Sequence, residues 1–175
     1  MPESNLIIIT GQEGSGKSTI VRALLEVTSS AAQIDAEDVG TVNPWKMDDD
    51  YIDLLHANVA VLARNFWDAG YRTVIAGSFM SNYTDYERFI TRQDHPANVY
   101  LIHLCAAKLT RDQRRIEREK PSRPEWRDMV DRGDPEDQTL YLHASDYRYV
   151  RIDNDDLSVA KTVAMIQHAL PEIYG

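Results

Sequence analysis

The chain has 175 residues, of which 43% are hydrophobic and 27% are charged, and its formal net charge is −9. This length suits a single domain over residues 1–175 with a substantial core, and the composition excludes a disordered chain. The acidic balance argues against a broad surface for nucleic acid, so we expect no nucleic-acid partner.

The sequence also indicates a compartment. No apolar run approaches the roughly 18 residues of a membrane span, and the first predicted strand starts too near Met1 to leave room for a signal peptide. Cys105 is the only cysteine, which excludes a disulfide framework and a cysteine metal cluster. We therefore expect a cytoplasmic protein with no membrane partner, present as a monomer or a homodimer.

The most informative segment follows the first predicted strand. Residues 6–10 are apolar and mostly β-branched, which is typical of a buried strand. Residues 11–19, GQEGSGKST, match the pattern G-x-x-x-x-G-K-[ST], and Ile20, Leu24 and Val27 then recur at helical spacing. Strand, glycine-rich loop and helix in this order predict a phosphate-binding loop, or P-loop.

Each residue type in this loop has a physical role. Glycines let backbone N–H groups approach phosphate oxygens, and the helix directs its free N–H groups to the same anion. Lys17 is expected to reach the terminal phosphates of a nucleoside triphosphate, and Ser18 to bind Mg²⁺. A glycine turn that binds no ligand is the alternative. The residues predicted to contact the nucleotide here are Gly11, Glu13, Gly14, Ser15, Gly16, Lys17, Ser18 and Thr19.

The rest of the chain alternates strands with helices, which predicts an α/β fold with a parallel sheet. Four further strands are predicted over residues 32–35, 73–77, 99–104 and 149–153. A long helix is predicted from residue 52 to near Gly70, and further helices over residues 84–93, 108–118, 138–146 and 159–170. Residues 36–50 are predicted to be a polar loop with room for a short helix.

Basic residues are concentrated after the fourth strand. Residues 108–132 contain nine basic and six acidic side chains. Residues 119–137 are rich in Pro, Arg and Asp and only weakly periodic, which predicts an exposed, mobile excursion; Pro121 and Pro124 are expected to end the helix before it. Two interpretations remain open for the arginines of that helix, phosphate binding or a solvated face of ion pairs. These are Arg111, Arg114, Arg115 and Arg118.

This order of parts resembles the small P-loop kinases, which include nucleoside monophosphate kinases, shikimate and gluconate kinases, and chloramphenicol phosphotransferase-like enzymes. The fourth strand ends in LCA at residues 104–106, and Arg114 and Arg118 match the arginine pair that follows it in this family. The resemblance spans nearly the whole chain, and the P-loop is its most specific part. It implies a three-layer P-loop fold with a five-stranded parallel sheet and an arginine-rich lid at approximately residues 119–137.

The resemblance also implies roles for individual side chains. Arg114 would stack on the adenine of ATP, and Arg118 would reach the transferring phosphate when the lid closes. The segment that contains Asn154 would pass the adenine edge, although a helix entry rich in capping residues is an equal alternative.

Three carboxylates, Asp35, Glu37 and Asp38, follow the second strand. Ligands of open α/β sheets bind at this edge. In related kinases an aspartate here accepts the proton of the acceptor hydroxyl and helps to hold Mg²⁺, which would make Asp35 the base and a metal ligand. Glu37 and Asp38 would bind acceptor hydroxyls. An acidic loop in which Asp35 or Asp38 caps a turn is the alternative.

Two departures from the family refine the prediction. The third strand ends in AGSF, residues 76–79, without the family's aspartate, so Mg²⁺ would depend on Ser18 and Asp35. Between residues 36 and 63, Lys46 is the only lysine or arginine, which favours a neutral or cationic acceptor over a phosphorylated one.

Together the residues and the resemblance predict a phosphotransferase. It would use ATP and Mg²⁺ to phosphorylate the hydroxyl of a small molecule, with Lys17, Asp35 and Arg118 as catalytic residues. A nucleoside or nucleoside monophosphate kinase is one alternative. A non-catalytic ATP-binding sensor or regulatory module is another.

Overall fold

The computed structural model describes residues 4–118, 123–133, 135 and 137–175, without the side chain of Trp126. Its strands are β1 (Asn5–Thr10), β2 (Ala31–Asp35), β3 (Thr73–Gly77), β4 (Asn98–Cys105) and β5 (Arg148–Asp153). They form one parallel sheet in the order β2-β3-β1-β4-β5. The predicted five-stranded parallel sheet is therefore confirmed.

The described residues also form nine helices. They are α1 (Lys17–Val27), α2 (Ala36–Val39), α3 (Asp49–Asp68), α4 (Tyr83–Ile90), α5 (Lys108–Glu117), α6 (Pro124–Gly133), α7 (Thr139–Leu142), α8 (Val159–Ala169) and α9 (Pro171–Tyr174). None of the helices in the described part of the chain combines the length and the apolar character that crossing a membrane requires.

Helices cover both faces of the sheet, which gives the three predicted layers. Ile7 and Ile9 of β1 pack in a core with residues of α1 and α8. Leu6 and Ile8 point to the opposite face and pack in a core with residues of α3 and α4. Because both faces are buried, the strand is a continuous apolar run rather than an alternating one.

The register of the sheet brings the strand ends together. Ile9 and Asp35 both pair with Gly77, at the ends of β1, β2 and β3. At the other side of β1, Thr10 pairs with His103 of β4, and β4 and β5 end together. The loops that leave β1 and β2 thus start from one edge of the sheet, where ligands of such folds bind.

Local signals in the sequence explain the bounds of the long helix α3. Asp48 is its N-cap, and its carboxylate accepts a hydrogen bond of 3.0 Å from the backbone N–H of Tyr51. Gly70 stops the helix in a left-handed conformation, with φ of 94°. The acidic run at residues 48–50 is therefore a helix start.

The segment predicted to be an exposed, mobile excursion, residues 119–137, contains the helix α6, which was not predicted. Pro124 is the first residue of this helix, a position that suits proline because the first N–H of a helix has no partner within the helix. Pro124 therefore starts α6 and does not end α5, which stops at Glu117. Residues 119–122, 134 and 136, and with them Pro121, lie outside the described residues. The short helix α2 lies in the loop where the sequence allowed one, whereas α9 was not predicted as a separate element, since four residues are too few for a periodic pattern.

Candidate functional site

The loop between β1 and α1 has the backbone conformation that its glycines permit. Gly11, Gly14 and Gly16 all have positive φ, and Gly16 at 100° is the N-cap of α1. At Gly14 a Cβ would also lie only 2.8 Å from the carbonyl oxygen of Arg111, so a side chain has no room there. The loop therefore lies tightly against the start of α5.

The mouth of this loop suits an anionic ligand such as a phosphate. The N-cap of α1, Gly16, has no side chain, so it offers the first N–H groups of the helix no side-chain acceptor. Ser15 is completely buried in the loop, and its Oγ has no hydrogen-bond partner among the described residues. A phosphate oxygen is the kind of acceptor that such donors lack.

Lys17 lies at the same mouth. Its Nζ donates hydrogen bonds to the carbonyl oxygens of Gly11 at 2.7 Å and Gln12 at 3.2 Å, so the side chain lies back along the loop. Ser18 follows on the first turn of α1 and is half-buried, whereas Thr19 is exposed. Their predicted contacts with Mg²⁺ and nucleotide remain predictions.

The carboxylates after β2 lie beside this loop. Asp35 caps α2, and its Oδ1 accepts a hydrogen bond of 3.3 Å from the N–H of Glu37. Partial burial, followed by the charges of Asp35 and Glu13, raises the pKa of Glu37, whereas Lys17 and Arg118 act in the opposite direction. These charges act together only because the fold brings residues from three segments close to Glu37. Asp38 is exposed.

The alternative for Asp35, a capping role, is therefore present in the structure. It does not replace the catalytic prediction, because a single carboxylate oxygen serves the cap and the group remains partly accessible. Within the described residues no group of three or more His, Cys, Asp or Glu side chains is arranged to hold a metal ion. An Mg²⁺ ion held by Ser18 and Asp35 would need further oxygen ligands from the nucleotide and water, as this ion commonly has.

The exit of β3 carries no carboxylate, as the sequence already shows. Gly77 allows close packing, because a Cβ there would lie 3.0 Å from a methyl group of Val21. The close approach at this glycine is thus made by α1. The chain beyond it is fixed by two buried side chains, since Thr10 Oγ1 donates to Met80 O at 2.6 Å and His56 Nε2 donates to Phe79 O at 2.8 Å.

Sequence reasoning missed this function of Thr10 and His56. Burial lowers the pKa of His56, although its hydrogen bond to Phe79 partly offsets the effect. The side chain is therefore neutral near pH 7 and holds the loop as an uncharged donor. The only signal in the sequence was its position on the apolar face of α3, which does not identify a hydrogen-bond partner.

Arg114, on α5, and Asn154, just after β5, both lie at the P-loop. Arg114 Nη2 donates to the carbonyl oxygen of Asn154 at 2.6 Å, and its Nη1 donates to Ser15 O at 3.3 Å. Asn154 is buried, and its Nδ2 also donates to Ser15 O at 2.9 Å. The two residues predicted to flank the adenine thus contact one another and the P-loop, while their contact with a base remains a prediction.

The remaining arginines of α5 differ from one another. Arg118, just after the helix, forms an ion pair of 3.0 Å with Glu13 of the loop and is 43% exposed. Arg111 and Arg115 are buried and paired with Asp131 of α6. For these two, the alternative of a solvated face is wrong, because their guanidinium groups lie between the P-loop and α6.

Comparisons with solved structures agree with this architecture. The chain matches a sugar kinase from Janibacter sp. HTCC2649 with a TM-score of 0.73 at 17% identity, over 97% of this chain and 95% of that one. It matches a gluconokinase from Sinorhizobium meliloti 1021 with a TM-score of 0.70 at 16% identity, over 99% and 94%. A tunicamycin resistance protein from Deinococcus radiodurans matches with a TM-score of 0.62 at 15% identity, over 96% of both chains.

No protein-family model matches the sequence, and no curated protein sequence matches it significantly. At identities this low, the structural likeness establishes the fold. The chain has the fold of these small kinases, and the predicted resemblance is confirmed at that level.

Proposed function

We propose that the protein is an ATP-dependent kinase that phosphorylates a hydroxyl group of a small molecule. The observation that carries the proposal is the geometry of the P-loop, where Ser15 Oγ is buried without a partner among the described residues and Lys17 and Arg118 both contact the loop. A transferable phosphate needs cations, and an acceptor hydroxyl needs a carboxylate, at the same place. The fold shared with a sugar kinase and a gluconokinase supports the same class of reaction.

The P-loop and Lys17 would bind the phosphates of ATP. The backbone N–H groups at the start of α1 would hold the phosphate oxygens, and Lys17 would leave its carbonyl partners to contact the terminal phosphate. Ser18 and Asp35 would hold Mg²⁺, which neutralises phosphate charge when it is bound. Arg114 and Asn154 would border the base.

Asp35 would act on the acceptor. As the hydroxyl oxygen bonds to the terminal phosphorus, its proton passes to the carboxylate of Asp35 and the bond from phosphorus to the ADP oxygen breaks. Arg118 would leave Glu13 and donate to the oxygens of the transferring group, where charge develops. Glu37 and Asp38 would bind other hydroxyls of the acceptor.

The charges near the acceptor side favour a neutral or cationic compound. Arg88 forms hydrogen bonds of 3.0 Å with Asp49 through both terminal nitrogens, and Arg92 forms an ion pair of 3.0 Å with Asp53. Their charges are thus matched by carboxylates on α3 and add little net positive charge. Lys17 and Arg118, the cations that act on Glu37, are assigned here to the phosphates of ATP, so an acceptor with its own phosphate would be repelled by the carboxylates of Asp35 and Glu37.

Binding of ATP to the unchanged protein and to Lys17→Ala tests the nucleotide part of this proposal. Loss of the lysine should weaken binding at least about tenfold, because a charge-assisted contact with phosphate is removed. Lys161→Ala, which removes an exposed lysine on α8, is the matched control. Equal ATP affinity in the unchanged and Lys17→Ala proteins, measured by calorimetry with Mg²⁺ present, would contradict the proposal.

A further inference from the structure

Three cations of α5 converge on one carboxylate of α6. Oδ1 of Asp131 lies 2.8 Å from Arg111 Nη1 and 2.6 Å from Arg115 Nη2, and its Oδ2 lies 2.9 Å from Lys108 Nζ. The side chain of Asp131 is only 13% exposed. These four side chains form an ionic cluster between α5 and α6.

The two arginines of the cluster also lie against the P-loop, at Glu13 and Gly14. Arg111 Nη1 donates to the carbonyl oxygen of Glu13 at 3.3 Å. The position that a Cβ of Gly14 would occupy lies 3.0 Å from Arg115 Nε and 2.8 Å from the carbonyl oxygen of Arg111. The loop backbone at Glu13 and Gly14 therefore lies against α5.

The support depends on Asp131. Arg115 is fully buried and Arg111 nearly so, and a buried guanidinium is costly unless a carboxylate pairs with it. Asp112 lies 3.7 Å from Arg115, beyond hydrogen-bond distance. In the described part of the chain, Asp131 is the one carboxylate within hydrogen-bond distance of either arginine.

We propose that Asp131 is a positioning residue that makes nucleotide binding depend on the docking of α6. Through Arg111 and Arg115 it holds Glu13 and Gly14 in the conformation in which the loop N–H groups receive phosphate. The inference rests on the proposed nucleotide site. It adds that α6 controls the affinity for the nucleotide, although α6 supplies no proposed contact to the nucleotide.

The test compares Asp131→Asn with Asp128→Asn. Asp128 lies on the same helix but is mostly exposed, and its ion pair with Lys108 is long, at 3.8 Å. Asp131→Asn should bind ATP about tenfold more weakly and raise KM for ATP, with kcat at saturating ATP changed less than about threefold. Asp128→Asn should bind ATP within about twofold of the unchanged protein. Asp131→Glu, which keeps the charge, should recover most of the lost affinity.

A purely structural role gives a different result. Affinity is measured at a temperature at which circular dichroism shows each variant to be folded. If Asp131→Asn has a lower Tm but an unchanged Kd for ATP, the inference is overturned while the proposed function stands. An unchanged protein that binds no ATP overturns the proposed function, and with it this inference.

A second measurement needs no variant and applies if Asp131→Asn does not fold. Coupling between two sites is reciprocal, so bound ATP must stabilise the docking of α6. Hydrogen exchange should therefore slow in the backbone amides of residues 125–133 when ATP is added, together with those of the P-loop. Exchange that slows in the P-loop alone would overturn the inference.

Discussion

Asp35 combines two physical roles at the end of β2. It caps α2 by accepting a hydrogen bond from the N–H of Glu37, and it is the proposed base. Asparagine and aspartate cap helices about equally well, but an amide cannot accept the proton of a hydroxyl. The two roles can therefore be separated by one substitution.

Asp35→Asn should lower kcat at least about 100-fold while the free energy of unfolding changes by less than about 0.5 kcal/mol. Steady-state kinetics and thermal unfolding of the same preparation measure both quantities. Asp68→Asn, on the exposed end of α3, is the control for loss of a surface carboxylate. An Asp35→Asn protein with unchanged kcat would exclude Asp35 as the base.

Arg118 is the proposed contact with the transferring phosphoryl group. Since this contact forms mainly in the transition state, Arg118→Ala should reduce kcat about 100-fold and change Kd for ATP less than about threefold. Arg22→Ala, an exposed arginine of α1, serves as the control. If Arg118→Ala weakens ATP binding and leaves kcat intact, the arginine binds the ground state and has no catalytic role.

At the scale of elements, the P-loop is held between its own helix and α5. The absence of a Cβ at Gly14 matters twice, because φ is 84° and because the backbone of Arg111 occupies the space. Gly70 also has a positive φ, of 94°, but a Cβ there would meet no atom within 4 Å. Substitution of Gly70 therefore tests backbone strain alone, whereas substitution of Gly14 tests strain together with a steric clash against Arg111.

Gly70→Ala should lower the free energy of unfolding by about 1 kcal/mol, through strain alone. Gly14→Ala should lower it by at least about 2 kcal/mol more and abolish ATP binding, because the loop must move away from α5. Denaturant unfolding and calorimetry measure the two effects. Equal destabilisation in the two variants would show that α5 does not constrain the loop.

Because Asp131 docks α6 on α5, the stability of the folded protein should depend on pH. Burial alone would raise the pKa of Asp131, but hydrogen bonds from Arg115, Lys108 and Arg111 outweigh it and hold this pKa well below its usual range. Because the pKa of Asp131 is lower in the folded state, its ionised carboxylate stabilises the protein above pH 4, which is about the pKa of an unfolded aspartate. This contribution is lost as the pH falls from about 4 towards the lower pKa of the folded state.

The Tm of Asp131→Asn should thus be about 5–10 °C below that of the unchanged protein at pH 7, with a smaller difference at pH 3. Asp112 and Asp128, the other carboxylates near the cluster, are present in both proteins. Thermal scans from pH 7 to pH 3 provide the test. A difference in Tm that stays constant over this range would refute the ionic role of Asp131.

The elements that the sequence predicted are those whose signals are local. Apolar β-branched runs gave the strands, and the GQEGSGKST segment gave the loop with its strand and helix. Helix α6 was missed, and the contacts that Asp131 on this helix makes with α5 are ion pairs. Pairing between distant charges has no periodicity that a single sequence reveals.

At the scale of the whole molecule, the strand order places the proposed acceptor and nucleotide sides on either side of β1. Asp35 comes from β2, at one edge of the sheet, whereas Asn154 follows β5, at the other edge. The P-loop leaves the central strand between them. The sequence predicted which residues follow each strand, but the contacts of Arg114 with Asn154 and Ser15 depend on the folded sheet.

The most direct test of the central claim is ADP release from ATP and Mg²⁺ against a panel of acceptors, with Lys17→Ala as the blank. The panel contains sugars, amino sugars, sugar acids, hydroxylated antibiotics, nucleosides and nucleoside monophosphates. We predict a Lys17-dependent rise with one neutral or cationic hydroxyl compound class and none with the monophosphates. Tight ATP binding without stimulation by any acceptor, or stimulation by monophosphates alone, would contradict the account.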